Sequence, residues 1–207
     1  MEKKNVIIFG DSYSTFKGHI PDYYDTYYPC LDVCSVEETW WKSFVSKCNY
    51  HLIQNNSWSG STIGYTGYNH ADCSTSSSFI FRYKQLKEQG VFEKDRVDVI
   101  LVFGGTNDSW ANAELGNIKF SDWTEEDFFK VLPSICYFAY MLKTDFPYAK
   151  IIFIINTDIK EEIQNAIEYA AQYYSLQSVR LQDIDKQKDH PTKKGMKEIC
   201  DQLLKVV

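Results

Sequence analysis

Four short apolar runs rich in β-branched residues punctuate the chain: Asn5–Phe9, Val97–Phe103, Lys150–Ile155 and Ser178–Leu181. Each is bounded by turn or polar residues, and a weaker run, Tyr50–Gln54, lies between the first two. Near-continuous apolar runs suit strands covered on both faces, as in a parallel sheet. Helical patterns fill the intervals. Ser35-Val36-Glu37-Glu38 has the form of a capping box and predicts a helix to about Lys47. A second helix is predicted within Ser78–Gln89, stopped by Gly90. A third begins near Thr124 and runs to about Lys143, with Pro133 placed to kink it. Asp158 signals the N-cap of a helix to about Tyr174, and a last helix runs from near Thr192 to the chain end.

Strand and helix thus alternate five times, with no linker or internal repeat. The expectation is one domain over residues 1–207 of the α/β class: a three-layer α/β/α sandwich on a flavodoxin-like five-stranded parallel sheet, order 2-1-3-4-5. In such sheets ligands sit beyond the carboxyl ends of the strands, so the loops after each strand are where chemistry is sought.

Composition narrows the partners. With 44% hydrophobic and 24% charged residues, the chain has the makings of a packed core and is not disordered. A net charge of −6 and the absence of long Lys or Arg runs argue against nucleic acid. No apolar stretch approaches the roughly 20 residues of a membrane helix. Met1-Glu2-Lys3-Lys4 leads directly into Val6-Ile7-Ile8-Phe9, too short a core for a signal peptide. The chain as given therefore reads as cytoplasmic, or as periplasmic or secreted if a leader has been removed. The six cysteines show no metal spacing; Cys136 and Cys200 read as core residues, and Cys30 with Cys34 is the one pair to consider in an oxidising compartment.

The loops after the strands carry a coherent set of groups. Gly10-Asp11-Ser12 follows the first strand, Ser57-Trp58-Ser59-Gly60 the second, Gly105-Thr106-Asn107-Asp108 the third, and Asp183 to Thr192 the fifth. A serine hydroxyl needs a base, which His190 can supply, and the imidazole needs a group to hold its tautomer. Asp183, Asp185 and Asp189 lie nearby for that role. The backbone N–H groups of Ser12 and Gly60 and the amide of Asn107 could form an oxyanion hole.

These segments resemble the blocks of the SGNH hydrolases, the GDSL-type esterases and lipases. Gly10-Asp11-Ser12 resembles the first block, Gly60 the oxyanion glycine of the second, Gly105-Thr106-Asn107-Asp108 the third and His190-Pro191 the last, in order across residues 5 to 195. The resemblance implies an esterase that cleaves small acyl esters with Ser12 as nucleophile, His190 as base and no metal or cofactor. Two positions depart from the family pattern. Tyr13 replaces an aliphatic residue, and the family's acid position, three before the histidine, is Gln187. A loop lengthened by two makes Asp185 the preferred acid, then Asp183, then Asp189; a Ser–His dyad steadied by a backbone carbonyl is the alternative. Asp11, Trp58, Asp108 and Trp110 are candidates for substrate contact.

Plainer readings accompany these. Asn156-Thr157-Asp158 reads as the start of the next helix. His51, His70 and His19 read as structural or solvated. Tyr23, Tyr24, Tyr27, Tyr28, Trp40 and Trp41 either stitch down a long loop or offer faces to a sugar ring, the first being preferred. The substrate is expected to be a small-molecule or glycan acyl ester, with an acetylated sugar as the first hypothesis; a lipid or thioester substrate and a non-catalytic, flavodoxin-like binding module are the alternatives.

Overall fold

The computed structural model describes residues 3–207; Met1 and Glu2, which open the charged start noted above, lie outside the described residues. Strands β1 (Asn5–Gly10), β2 (His51–Ser57), β3 (Val99–Phe103), β4 (Lys150–Ile155) and β5 (Gln177–Arg180) form one sheet in the order β2-β1-β3-β4-β5, with every neighbouring pair parallel. Around it run helices α1 (Trp40–Lys47), α2 (Phe79–Glu88), α3 (Val91–Lys94), α4 (Thr106–Trp110), α5 (Val131–Asp145), α6 (Glu161–Tyr173) and α7 (Lys193–Leu203). This is the three-layer α/β/α arrangement that the alternation predicts.

The apolar runs are continuous because both faces of each strand are covered. Ile7, Phe9, Ile100, Val102, Ile151 and Phe153 enter one core with residues of α2, α5 and α6. Their neighbours Val6, Ile8, Val99, Leu101, Ile152 and Ile154 enter the other, with residues of α1 and α7. Successive side chains leave a strand on opposite sides, and each fully buried aliphatic side chain contributes roughly 1.5–3 kcal/mol. Among the described residues, no helix is long and apolar enough to cross a membrane.

Several elements differ from expectation for local reasons. The Ser35 capping box forms, but it heads a 3-10 turn, Val36–Glu38; extended backbone at Thr39 breaks the run, and the Thr39 hydroxyl caps α1 instead. Pro133 kinks nothing. Helix α5 starts at Val131, so the proline occupies the first turn, where a missing N–H is tolerated. Asp158 does not cap α6: it sits at φ 59°, and its carboxylate accepts from Thr157 and Lys186. Strand β2 runs on through the polar Asn55-Asn56-Ser57, whose side chains find buried partners. All six cysteines are free, Cys30 and Cys34 included.

The register levels the edge where the loops leave. Gly10 pairs with Ser57 on one side and Phe103 on the other, so the turns that follow β1, β2 and β3 start side by side. A two-residue ribbon, β6 (Lys186–Gln187) against β7 (His190–Pro191), completes that edge from beyond β5.

Candidate active site

The nucleophile candidate stands where β1 ends. A Cβ on Gly10 would meet Ser57 Oγ at 2.4 Å and Ser14 Cβ at 2.5 Å, so only glycine lets the chain turn this closely. Asp11 then caps a 3-10 turn, Ser12–Ser14, by accepting from the Tyr13 N–H at 3.0 Å. The turn presents Ser12 at its head, where a backbone N–H has no acceptor within the turn. Ser12 itself is only 3% exposed.

His190 reaches it from a tight hairpin. Lys188 and Asp189 both have positive φ, 50° and 60°, which matches the right-handed twist of a two-residue turn. Tyr13 donates to the Asp189 carbonyl and Tyr28 to that of Pro191 at 2.6 Å, so two tyrosines of the first loop clamp the ribbon. His190 Nε2 lies 3.0 Å from Ser12 Oγ, and Nδ1 lies 3.0 Å from the carbonyl oxygen of Lys188. A carbonyl only accepts, so Nδ1 carries the proton and Nε2 is free to take one. Tyr27 stacks on the imidazole, and Tyr13 and Trp110 pack around it. Burial holds the His190 pKa below the ordinary value of 6.5, against the Lys188 hydrogen bond, which acts to raise it.

Asp185, the preferred acid, is not on the imidazole. The ribbon pairs Gln187 with His190 and Lys186 with Pro191, which carries Asp185 past the histidine to Thr192. Its backbone carbonyl accepts from Thr192 N at 3.1 Å, and its carboxylate accepts from the Thr192 hydroxyl at the start of α7, with Lys194 4.0 Å away. The group opposite the Nδ1 proton is the backbone carbonyl of Lys188.

The oxyanion candidates are held from below. Gly60 has φ +80°, and the space where a Cβ would stand is open. Asn107, in α4, donates from Nδ2 to the Ser61 carbonyl at 2.9 Å, and its Oδ1 accepts from the Tyr68 hydroxyl at 2.8 Å. Asp108, a candidate for substrate contact, is instead fully buried and accepts from the N–H groups of Ile63 and Gly64 at 3.0 and 3.4 Å, which pins the loop after β2. Asp11, another such candidate, is also fully buried, and its Oδ2 has no hydrogen-bond partner among the described residues. Burial pushes the two carboxyls up, Asp11 to about 7 and Asp108 to about 6.

Arg82 lies beneath these loops and escaped the sequence reading. Its guanidinium is fully buried and its donors reach Ser77 O, Asn56 O, Asn56 Oδ1, Gly10 O and Ser61 Oγ. It therefore ties the end of β1 to the end of β2 and to Ser61 in the loop that follows. The available signal was a charge inside the apolar stripe Phe79, Ile80, Tyr83, Leu86 of α2, a placement that demands buried acceptors. Burial lowers its pKa to about 10, still charged at neutral pH.

Trp58 and Trp110 remain at the rim. Trp58 stacks on Tyr24 at 4.2 Å and donates from Nε1 to Asp25 at 3.1 Å; Trp110 is partly exposed beside His190. Of the aromatic insertion, Tyr24, Tyr28, Trp40 and Trp41 are buried, and Tyr23 is exposed. His19, His51 and His70 are exposed. Asn156 is buried and joins Thr106 to Lys186.

The sequence profile described as GDSL-like lipase/acylhydrolase matches residues 4–207. Among solved structures, the chain is similar to a provisionally assigned GDSL-like lipase from Bacteroides uniformis ATCC 8492, with 41% identity and a TM-score of 0.92 over 100% of this chain and 96% of that one. A second such lipase, from Bacteroides ovatus ATCC 8483, shares 38% identity at a TM-score of 0.91, over 99% of this chain and 98% of that one. An acetyl xylan esterase from the rumen bacterium Butyrivibrio proteoclasticus shares the fold, at 20% identity and a TM-score of 0.61 over 99% of this chain and 63% of that one. Comparison with curated proteins finds no match.

Proposed function

Because the chain belongs to the GDSL-like lipase/acylhydrolase family, we propose that it hydrolyses small acyl esters through a covalent acyl intermediate on Ser12. The observation that carries this reading is the 3.0 Å contact between His190 Nε2 and Ser12 Oγ. His190 takes the hydroxyl proton as Oγ attacks the ester carbonyl, and the carbonyl oxygen becomes an oxyanion. The N–H groups of Ser12 and Gly60 and Nδ2–H of Asn107 are the donors assigned to it. Collapse breaks the ester C–O bond, with the proton passing from Nε2 to the departing alcohol. Water then attacks the acyl carbon, its proton passing to Nε2 and onward to Oγ as Ser12 is released.

The pair works as a dyad in this scheme. The Lys188 carbonyl holds the tautomer and orientation of His190 but carries no full negative charge to stabilise the imidazolium. A short acyl group suits a nucleophile this deeply set, with Tyr27 and Trp110 crowding the base. For the alcohol, a carbohydrate is the favoured class: Tyr23 is 64% exposed and packs edge-on to Tyr24 and Trp58 near the oxyanion loop. The shared fold with an acetyl xylan esterase agrees with that choice.

A fluorophosphonate probe tests the mechanism. It is expected to label the wild type and not Ser12→Ala; labelling that persists in the variant removes Ser12 from the reaction. Rates on acetylated xylosides and on p-nitrophenyl esters of increasing length test the substrate. A clear preference for chains longer than butyryl would favour a lipase over a deacetylase.

A further inference from the structure

A side-chain amide serves as an oxyanion donor only when its nitrogen end faces the reacting carbonyl, and rotation about the terminal torsion of an asparagine is soft. Asn107 has two anchors. The Ser61 carbonyl, which can only accept, takes one Nδ2 hydrogen at 2.9 Å and leaves the second for an oxyanion. At the other end Oδ1 accepts from Tyr68 at 2.8 Å. With the Ser61 contact alone the amide plane could pivot about a single hydrogen bond; the second contact fixes the plane.

We propose that Tyr68 is a positioning residue for acyl transfer, its hydroxyl holding the Asn107 amide so that Nδ2–H is aimed at the oxyanion. The inference rests on the esterase reading of the same site. A hydrogen bond to Oδ1 also draws electron density from the amide nitrogen, making the remaining N–H a stronger donor as negative charge develops.

The loop that carries Tyr68 is built to hold it there. Thr66 donates its hydroxyl to Phe129 O at 2.7 Å, Gly67 N–H donates to Ala71 O at 2.8 Å, and Ala71 N–H returns to Tyr68 O at 3.1 Å. Asn69 and His70 follow with φ 56° and 58°, folding the loop back directly after the tyrosine. Partial burial and the nearby carboxylates of Asp11 and Asp108 hold the phenol above its usual pKa, so it stays protonated and donates. Tyr68 is 41% exposed, and among the described residues Asn107 is the one hydrogen-bond partner of its hydroxyl.

A double-mutant cycle read by steady-state hydrolysis of p-nitrophenyl acetate tests the assignment. Tyr68→Phe keeps the ring and is expected to lower kcat about tenfold with KM within about twofold, while the thermal midpoint stays put. Asn107→Ala is expected to lower kcat on the order of a hundredfold. In the Asn107→Ala background Tyr68→Phe is expected to cost nothing more, because the group it positions is gone. An equal loss in both backgrounds, a rise confined to KM, or an unchanged kcat in Tyr68→Phe would overturn the assignment. The wild type with and without Ser12 separates the two levels. Turnover and probe labelling that do not depend on Ser12 sink the esterase reading and this inference with it; Ser12-dependent turnover with an additive cycle sinks only the role of Tyr68.

Discussion

The ring of Tyr27 lies parallel to the imidazole of His190, with centroids 3.6 Å apart and planes within 8°. The imidazole is thus oriented by packing on its face and by one carbonyl at its edge. Tyr27→Ala would remove the one parallel stack and leave the ring to its Nδ1 contact and the tilted and edge-on packing of Tyr13 and Trp110, and a displacement of about an ångström at a proton-transfer contact is costly. We expect kcat to fall at least tenfold in Tyr27→Ala and to stay within about threefold of wild type in Tyr27→Phe. Equal rates for the alanine and phenylalanine variants would show that the stack does not orient the base.

Asp185 gives the sharpest test of the dyad. Its carboxylate serves Thr192 and the first turn of α7, away from Nδ1 of His190. Asp185→Asn should keep kcat within about threefold, with a loss of stability on the order of 1 kcal/mol from the weakened helix start. Loss of a true triad carboxylate costs about 10⁴ in kcat, so a drop of that size in Asp185→Asn would reinstate the acid.

The pH profile has a definite sign. In the proposed mechanism His190 acts as a base when neutral, and burial lowers its pKa below the ordinary 6.5. Activity is therefore expected to persist as pH falls through that ordinary midpoint and to decline only below it. The same shift makes protonation oppose folding: the stability contribution is present above the unfolded pKa and is lost as pH falls through the folded one. An acid limb in kcat/KM centred above 6.5 would contradict the buried, dyad-type base.

Arg82 should matter more to stability than any surface charge. Removing it takes a charged donor from Gly10 O, Asn56 O, Asn56 Oδ1, Ser61 Oγ and Ser77 O, of which Gly10 O keeps the Trp58 N–H. Arg82→Met is expected to destabilise by about 3–5 kcal/mol, which for a chain of this length is a fall of roughly 10 °C in thermal midpoint. A change of only a degree or two by calorimetry would mean the loops are held by other contacts.

Much of this site was legible beforehand because its parts are local. Gly10-Asp11-Ser12, Gly60 and Asn107 each lie within a few residues of a strand end, where turn chemistry marks them, and His190, in β7 well past β5, is marked by Pro191 and the Thr192 cap beside it. The positions that misled are those whose partners are far away. Asp158 and Asn156 read as a helix start, yet one serves Lys186 and the other spans Thr106 and Lys186. Asp11 and Asp108 looked like ligands for substrate, but burial turned them into anchors for the backbone.

Hydrophobic periodicity and alternation of element types suffice for a parallel sheet covered on both faces, since each buried run can be satisfied only that way; they leave more than one doubly wound strand order open, and the order β2-β1-β3-β4-β5 is decided by the tertiary structure. They cannot say which acceptor meets Nδ1 of His190. That depends on a one-residue register in a two-residue ribbon, and pairing Gln187 with His190 sends Asp185 to α7 and leaves the Lys188 carbonyl in its stead. Hydrogen bonds are directional and short, so a shift of a few ångströms, invisible in a pattern of residue types, selects the partner.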